Sequence, residues 1–159
     1  MTTNDREITL IGAGLVGGLL ATLLAQRGFK VQVFERRSDP RSVGYEGGRS
    51  INLALAERGR HALQVAGLQS VSDPITVMMR GRMIHTVEGD CLPLQRYGRD
   101  DNEVIWSVSR GALNVAVIDA AEKAGATLHF NQRLDRVDWE HMRLHVTDER
   151  AGASREVNA

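Results

Sequence analysis

The stretch Gly12-Ala13-Gly14-Leu15-Val16-Gly17 constrains this chain more than any other, because of what stands on either side of it. Before it, Glu7 to Ile11 ("EITLI") is a short apolar run that reads as a strand. From Leu15 the pattern turns helical: Val16, Leu19, Leu20, Leu23 and Leu24 recur at three-and-four spacing on one face. Gly28 suits the left-handed residue that ends a helix. Lys30 to Glu35 ("KVQVFE") then alternates as a second strand and stops at the turn-prone "RRSDPR". Strand, helix and strand over so short a span make a βαβ unit, whose strands must run parallel. The fold class expected is α/β, a Rossmann-like nucleotide-binding domain.

Each glycine of the G-x-G-x-x-G pattern has a separate task. Gly12 permits the tight turn, Gly14 lets the backbone approach a pyrophosphate, and Gly17 allows close helix–strand packing. The diphosphate then faces the unpaired N–H groups and positive dipole end of the helix. Glu35 closes the second strand, where it can accept hydrogen bonds from both hydroxyls of an adenosine ribose. Its charge opposes a 2′-phosphate, whereas Arg36 and Arg37 attract one. The pattern alone leaves NAD and FAD both open.

The rest of the chain carries less chemistry. A helix is expected from about Glu57 to Gly67, two short strands around Arg80 and Gly81, and a polar loop carrying Tyr97. "VIWSVS" reads as extended, and Ser109 as the N-cap of a second long helix with Leu113, Ala116, Val117, Ala120, Ala121 and Ala124 on its inner face. "ATLHF" reads as a strand, and "RLDRVDWE" and "MRLHVTDE" as a hairpin. The tail "RAGASREVNA" reads as a turn whose following strand is missing. Twenty basic residues balance twenty acidic ones, which argues against a nucleic-acid or anionic-membrane partner. No apolar run approaches the length of a membrane span. Cys91, the only cysteine, and a polar start unlike a signal peptide fit a cytoplasmic protein. His141 and His145 stand four apart, but the alternation of Met142, Leu144 and Val146 says strand, and no metal site is assigned. His61, His85 and His129 read as structural, and Trp106 and Trp139 as core or edge packing.

"GRSINLALAERG", together with "MMRGRMIH", "YGRDDNEVIWSVSR" and "HFNQRL", resembles the kynurenine 3-monooxygenase family of FAD-dependent aromatic hydroxylases. The resemblance runs from about Ile8 to about Asp138. It implies bound FAD, NADPH as co-substrate, molecular oxygen, and hydroxylation of L-kynurenine to 3-hydroxykynurenine. Carried over residue by residue, it implies FAD contacts at Val16 in the phosphate turn, at Phe34, Glu35, Arg36 and Arg37 around the adenosine, and at Ala54, Arg110 and Leu134. An arginine opening a helix is a poor dipole partner, and Arg110 makes better sense facing a phosphate or flavin edge. For the substrate carboxylate the resemblance implies Arg82 and Tyr97, with Arg80 left open as an alternative to Arg82. No catalytic acid or base is assigned.

Members of that family are much longer. Their later Asp-Gly and Gly-Asp segments, which close over the cofactor, have no counterpart here. The expectation is an N-terminal part of an FAD/NAD(P)-binding domain across residues 1–159, with the substrate domain absent and the chain inactive as a fragment. Two other readings remain: a non-catalytic adenine-dinucleotide-binding module, or a flavin hydroxylase for another aromatic substrate.

Overall fold

A computed structural model describes residues 6–44 and 51–158. The chain divides into two compact units, one made of residues up to 47 together with those from 114 onward, the other of residues 48–113.

The first unit opens as the glycine pattern requires. Strand β1 (Glu7–Ile11) leads through the glycine turn into helix α1 (Leu15–Ala25), and β2 (Lys30–Phe34) returns parallel to β1 with Leu10 opposite Val33. Gly28, at φ 82°, reverses the chain after α1. Strand β8 (Thr127–His129) joins the far side of β2, also parallel. Val31 and Val33 of β2 are fully buried and pack with Ala21 of α1 and with Ile118, Ala121 and Ala126.

A second sheet in this unit is antiparallel, in the order β11 (Ser154–Asn158), β10 (Arg143–Asp148), β9 (Gln132–Asp138). Phe34 ends β2 inside the core of this sheet, against Leu144 and Val146. Main-chain bonds from Gln132 N–H to the Glu35 carbonyl and from Asn131 N–H to the Arg37 carbonyl hold the segment after β2 beside the start of β9.

In the second unit β3 (Asn52–Leu55) and β4 (Thr76–Met79) flank β7 (Ile105–Ser109), all antiparallel. Helix α3 (Glu57–Val65) and the short helix α4 (Gln69–Ser72) follow β3. Strands β5 (Gly81–Arg82) and β6 (Gln95–Arg96) form a separate two-stranded ribbon. Helix α5 (Arg110–Lys123) follows β7, with the Ser109 hydroxyl accepting the Ala112 N–H as the cap predicted for it. Residues 48–50 of the "GRSINLALAERG" stretch lie outside the described residues.

Five expectations need correction. The tail does form its strand: β11 pairs with β10 in full register, because Val157 has an apolar partner in Leu144. The region carrying Tyr97 is not all loop, since Gln95 and Arg96 pair with Arg82 and Gly81. Helix α1 buries Gly18, Ala21 and Thr22, while Val16 is 81% exposed and Leu20 is exposed too. The reason is distance. A Cβ on Gly18 would stand 2.8 Å from a Val117 methyl, so only small side chains fit on the inward face. Helix α5 correspondingly buries Leu113, Asn114, Val117, Ile118 and Ala121, a face rotated toward Asn114 and Ile118. Trp139 sits exposed in the β9–β10 turn and packs in no core. No helix among the described residues is long and apolar enough to cross a membrane.

The segment after β2 is held by charge. Asp39 caps the short helix α2 (Pro40–Val43) through the Arg41 N–H. The Arg41 guanidinium binds Asp39, Asp119 and Glu122 and lies over the Phe130 ring. Hydrogen bonds from Arg41 hold the Asp39 carboxyl below its ordinary 3.8, against the opposing effect of partial burial. A carboxylate depressed by folding stabilises the fold above its unfolded pKa and loses that contribution as pH falls through the folded value. Arg41→Ala is therefore expected to lower Tm at neutral pH, with the gap to wild type closing as pH drops below 3.8. Thermal melts from pH 7 to 2 measure this, and a gap constant with pH would contradict it.

Candidate nucleotide site

The site is built around one peptide. Gly12, at φ 97°, bends the chain out of β1, and its N–H donates to the Phe34 carbonyl at 2.8 Å. The next N–H, of Ala13, donates to Glu35 Oε2 at 2.8 Å. The Ala13 carbonyl accepts a 2.9 Å bond from Asn114 Nδ2, and both residues are buried. Gly14 is extended (φ −70°, ψ −176°) and serves as N-cap of α1 with no side-chain cap bond and no acid in the first turn. The positive end of the helix is thus left for an outside anion.

The glycines divide their work as follows. A Cβ on Gly14 would meet nothing within 4 Å, so the space beside it is open to a ligand. A Cβ on Gly17 would overlap the Gly12 carbonyl oxygen. Gly17 therefore closes the turn on itself, which refines its expected role of packing helix on strand.

Glu35 accepts with both oxygens, Oε2 from Ala13 and Oε1 from the Arg37 N–H at 2.9 Å. It makes no ion pair among the described residues, and each carboxylate oxygen keeps lone pairs for further donors. A cleft of about 450 Å³ opens beside it, lined by Ile11, Gly12, Phe34, Glu35, Arg36 and Arg37, and from the other sheet by Gln132, Arg133 and Leu134. Arg133 is neutralised by Asp135 and Glu149, whereas Arg36 and Arg37 are exposed with no acidic partner among the described residues. The structure thus brings Gly12, Phe34, Glu35, Arg36, Arg37 and Leu134 to one cleft. Val16 lies in the first turn of α1 with its side chain in solvent.

Ala54, Arg110, Arg82 and Tyr97 belong to the second unit. Ala54 is on the exposed side of β3, between the half-buried Leu53 and Leu55, and pairs with Ser107. Arg110 opens α5, and its main-chain N–H donates to the Ile51 carbonyl. Its side-chain Nε is buried with no hydrogen-bond partner among the described residues. A donor in that state costs about 1–3 kcal/mol and calls for an acceptor. Arg82 Nε donates to the Gln95 side-chain oxygen at 2.9 Å. Arg80 and Arg96 both bind Asp101, and they hold its carboxyl below the ordinary range, Arg80 more strongly. Tyr97 is 45% exposed, and its N–H donates to the Arg80 carbonyl. The pleat alternates side chains between faces, so this register sets Arg82 and Tyr97 on one face of the ribbon.

Sequence reading missed Asn114, Gln95 and Asp101. Asn114 had a signal, as a carboxamide inside an apolar helical face, where a polar group needs a partner. Gln95 and Asp101 had none.

Comparison with known proteins gives the following. Residues 10–65 match a family model described as an NAD(P)-binding Rossmann-like domain. A protein of Xanthomonas oryzae pv. oryzae named kynurenine 3-monooxygenase is 58% identical over 155 residues, 98% of this chain and 34% of its own length. One of Xanthomonas campestris pv. campestris with the same name is 57% identical over the same shares. The chain thus spans about a third of the length of the curated relatives it matches. Among solved structures, a flavoprotein/dehydrogenase of Cytophaga hutchinsonii superposes with a TM-score of 0.71 at 23% identity, over 95% of this chain and 37% of that one. p-Nitrophenol 4-monooxygenase of Pseudomonas putida superposes with a TM-score of 0.74 at 17% identity, over 95% and 39%. The fold is Rossmann-like α/β, as the glycine pattern predicts.

Two substitutions separate holding the turn from holding a ligand. Asn114→Ala leaves the buried Ala13 carbonyl unbonded and is expected to cost about 1–3 kcal/mol in denaturant unfolding. If the free lone pairs of Glu35 hold a ribose, Glu35→Gln cannot accept from Ala13, Arg37 and that ribose together. It is expected to weaken FAD binding, read from flavin fluorescence quenching, by about 10–100-fold, the worth of hydrogen bonds to a charged group. Unchanged FAD affinity in Glu35→Gln would remove the ribose role.

Proposed function

We infer, from a chain homologous along 98% of its length to the N-terminal part of the kynurenine 3-monooxygenases, that it supplies the adenosine-binding side of an FAD-dependent, NADPH-using hydroxylase converting L-kynurenine to 3-hydroxykynurenine. The identity of 57–58% across both units carries this reading. On it, residues 1–159 are the N-terminal part of an FAD-binding domain. The relatives are about three times as long as their matched part, so turnover is expected of that full length and cofactor binding of this part.

The residues present suit FAD. Glu35 would hold the ribose hydroxyls, with Phe34 and Leu134 as apolar walls for the adenine and Arg36 and Arg37 at the rim. The turn from Gly12 to Gly17 and the uncapped end of α1 would hold the diphosphate. Val16 would shield that turn from water, and Ala54 would let backbone lie close to the flavin. Arg110 has a buried donor awaiting an acceptor, which a phosphate oxygen or flavin ring edge would supply. When bound and reduced by NADPH, the flavin supplies the oxygen activation that aromatic hydroxylation needs. The protein's own task is to bind, orient and keep water away.

L-Kynurenine presents an amino-acid carboxylate. A guanidinium matches it with two parallel donors, and a tyrosine hydroxyl adds a third. Arg82 and Tyr97 on one face of the ribbon fit that requirement. Arg82 is favoured over Arg80 because Arg80 is already paired with Asp101. A carboxylate arriving at Arg80 would meet a charge of its own sign.

The test is a titration of the FAD-loaded protein. L-Kynurenine is expected to perturb the flavin absorbance of this part, and to stimulate NADPH oxidation with 3-hydroxykynurenine as product only in a protein of the relatives' full length. Perturbation by other aromatic substrates but not by L-kynurenine would point to a different hydroxylase. A protein that takes up no FAD would return the chain to the class of plain dinucleotide-binding modules.

A further inference from the structure

The β5–β6 ribbon treats its arginines unequally. Arg80 and Arg96 share Asp101, and Arg99 pairs with Glu103. Arg82 meets no carboxylate among the described residues, and its bonded partner is the neutral side chain of Gln95. The two are cross-strand partners in the ribbon register. Gly81 brings them together, since a Cβ there would overlap the Gln95 carbonyl oxygen and force the strands apart.

We propose that Gln95 is a positioning residue for Arg82, holding its Nε so that the two terminal amino groups form the fork that takes the substrate carboxylate. A guanidinium offers a carboxylate two docking edges, one made of Nε and a terminal nitrogen, the other of both terminal nitrogens. Gln95 occupies Nε and removes the first. It does so without charge, so Arg82 keeps its full attraction for an anion. An acid at position 95 would hold the same nitrogen and offset that attraction, as Asp101 does in part for the two arginines that share it. Fixing the side chain beforehand also lowers the rotamer entropy lost on binding. The inference rests on Arg82 being the carboxylate-binding residue.

The experiment uses the FAD-loaded protein at the relatives' full length, for which turnover is expected, and measures Kd from flavin absorbance for L-kynurenine and for its decarboxylated analogue, which keeps the aryl ketone and amine. Flavin content confirms that each variant is folded. Gln95→Leu is expected to raise Kd and KM for L-kynurenine by about 3–10-fold, the worth of one neutral hydrogen bond. kcat at saturation and affinity for the analogue are expected to stay unchanged. Gln95→Glu is expected to weaken L-kynurenine further, and it serves alone if Gln95→Leu loses its flavin. Equal weakening of both ligands would mark Gln95 as merely structural and overturn the inference. So would wild-type affinity in both Gln95 variants while Arg82→Met binds L-kynurenine poorly, a result that leaves the role of Arg82 standing. If Arg82→Met also binds normally, or L-kynurenine never perturbs the flavin, the reading of Arg82 itself fails and the role of Gln95 with it.

Discussion

The Ala13 peptide is gripped from both sides, its N–H by the Glu35 carboxylate and its carbonyl by the Asn114 carboxamide. These two bonds tie together the turn after β1, the end of β2 and the helix α5. A buried peptide cannot turn to water for a partner, so losing either bond leaves a polar group uncompensated. The grip also sets what faces outward. With its main-chain groups held from behind, the turn presents Gly14 and the uncapped first turn of α1 to open space. The anion-attracting end of the helix is therefore a consequence of how the turn is anchored.

Packing of α1 follows from the same economy of space. Gly18, Ala21 and Thr22 face inward, and the Thr22 hydroxyl satisfies itself on the Gly18 carbonyl one turn back. The leucines and Val16, which carry most of the helix's apolar surface, lie at the flanks or in solvent. A helix pressed this closely selects for small volume over hydrophobicity on its contact face. The hydrophobic pattern correctly marks the segment as a helix and misplaces its inner side.

Charge is distributed with similar selectivity. Arg41, Arg80, Arg96 and Arg133 are spent on neighbouring acids and hold loops in place. Arg36, Arg37, Arg82 and Arg110 have no acidic partner among the described residues. In a chain with equal numbers of acids and bases, an arginine kept from pairing retains its attraction for an outside anion. The ribbon makes the contrast sharpest, because paired and unpaired guanidiniums stand within a few residues of each other.

What the sequence determined by itself is local. Strand, glycine turn, helix and strand from Glu7 to Glu35 could be read directly, since backbone sterics and side-chain period act between near neighbours. The position of Glu35 was legible for the same reason, because it closes the strand that the turn requires. Leu134 as part of a site came only from resemblance, and its place beside Glu35 depends on Gln132 pairing with the segment after β2. The inner face of α1, the strand at Ser154–Asn158, the grip of Asn114 on Ala13 and the pairing of Gln95 with Arg82 were decided by tertiary structure alone. Each depends on which element arrives opposite, at what distance and in what register, and the local period of side chains does not encode that.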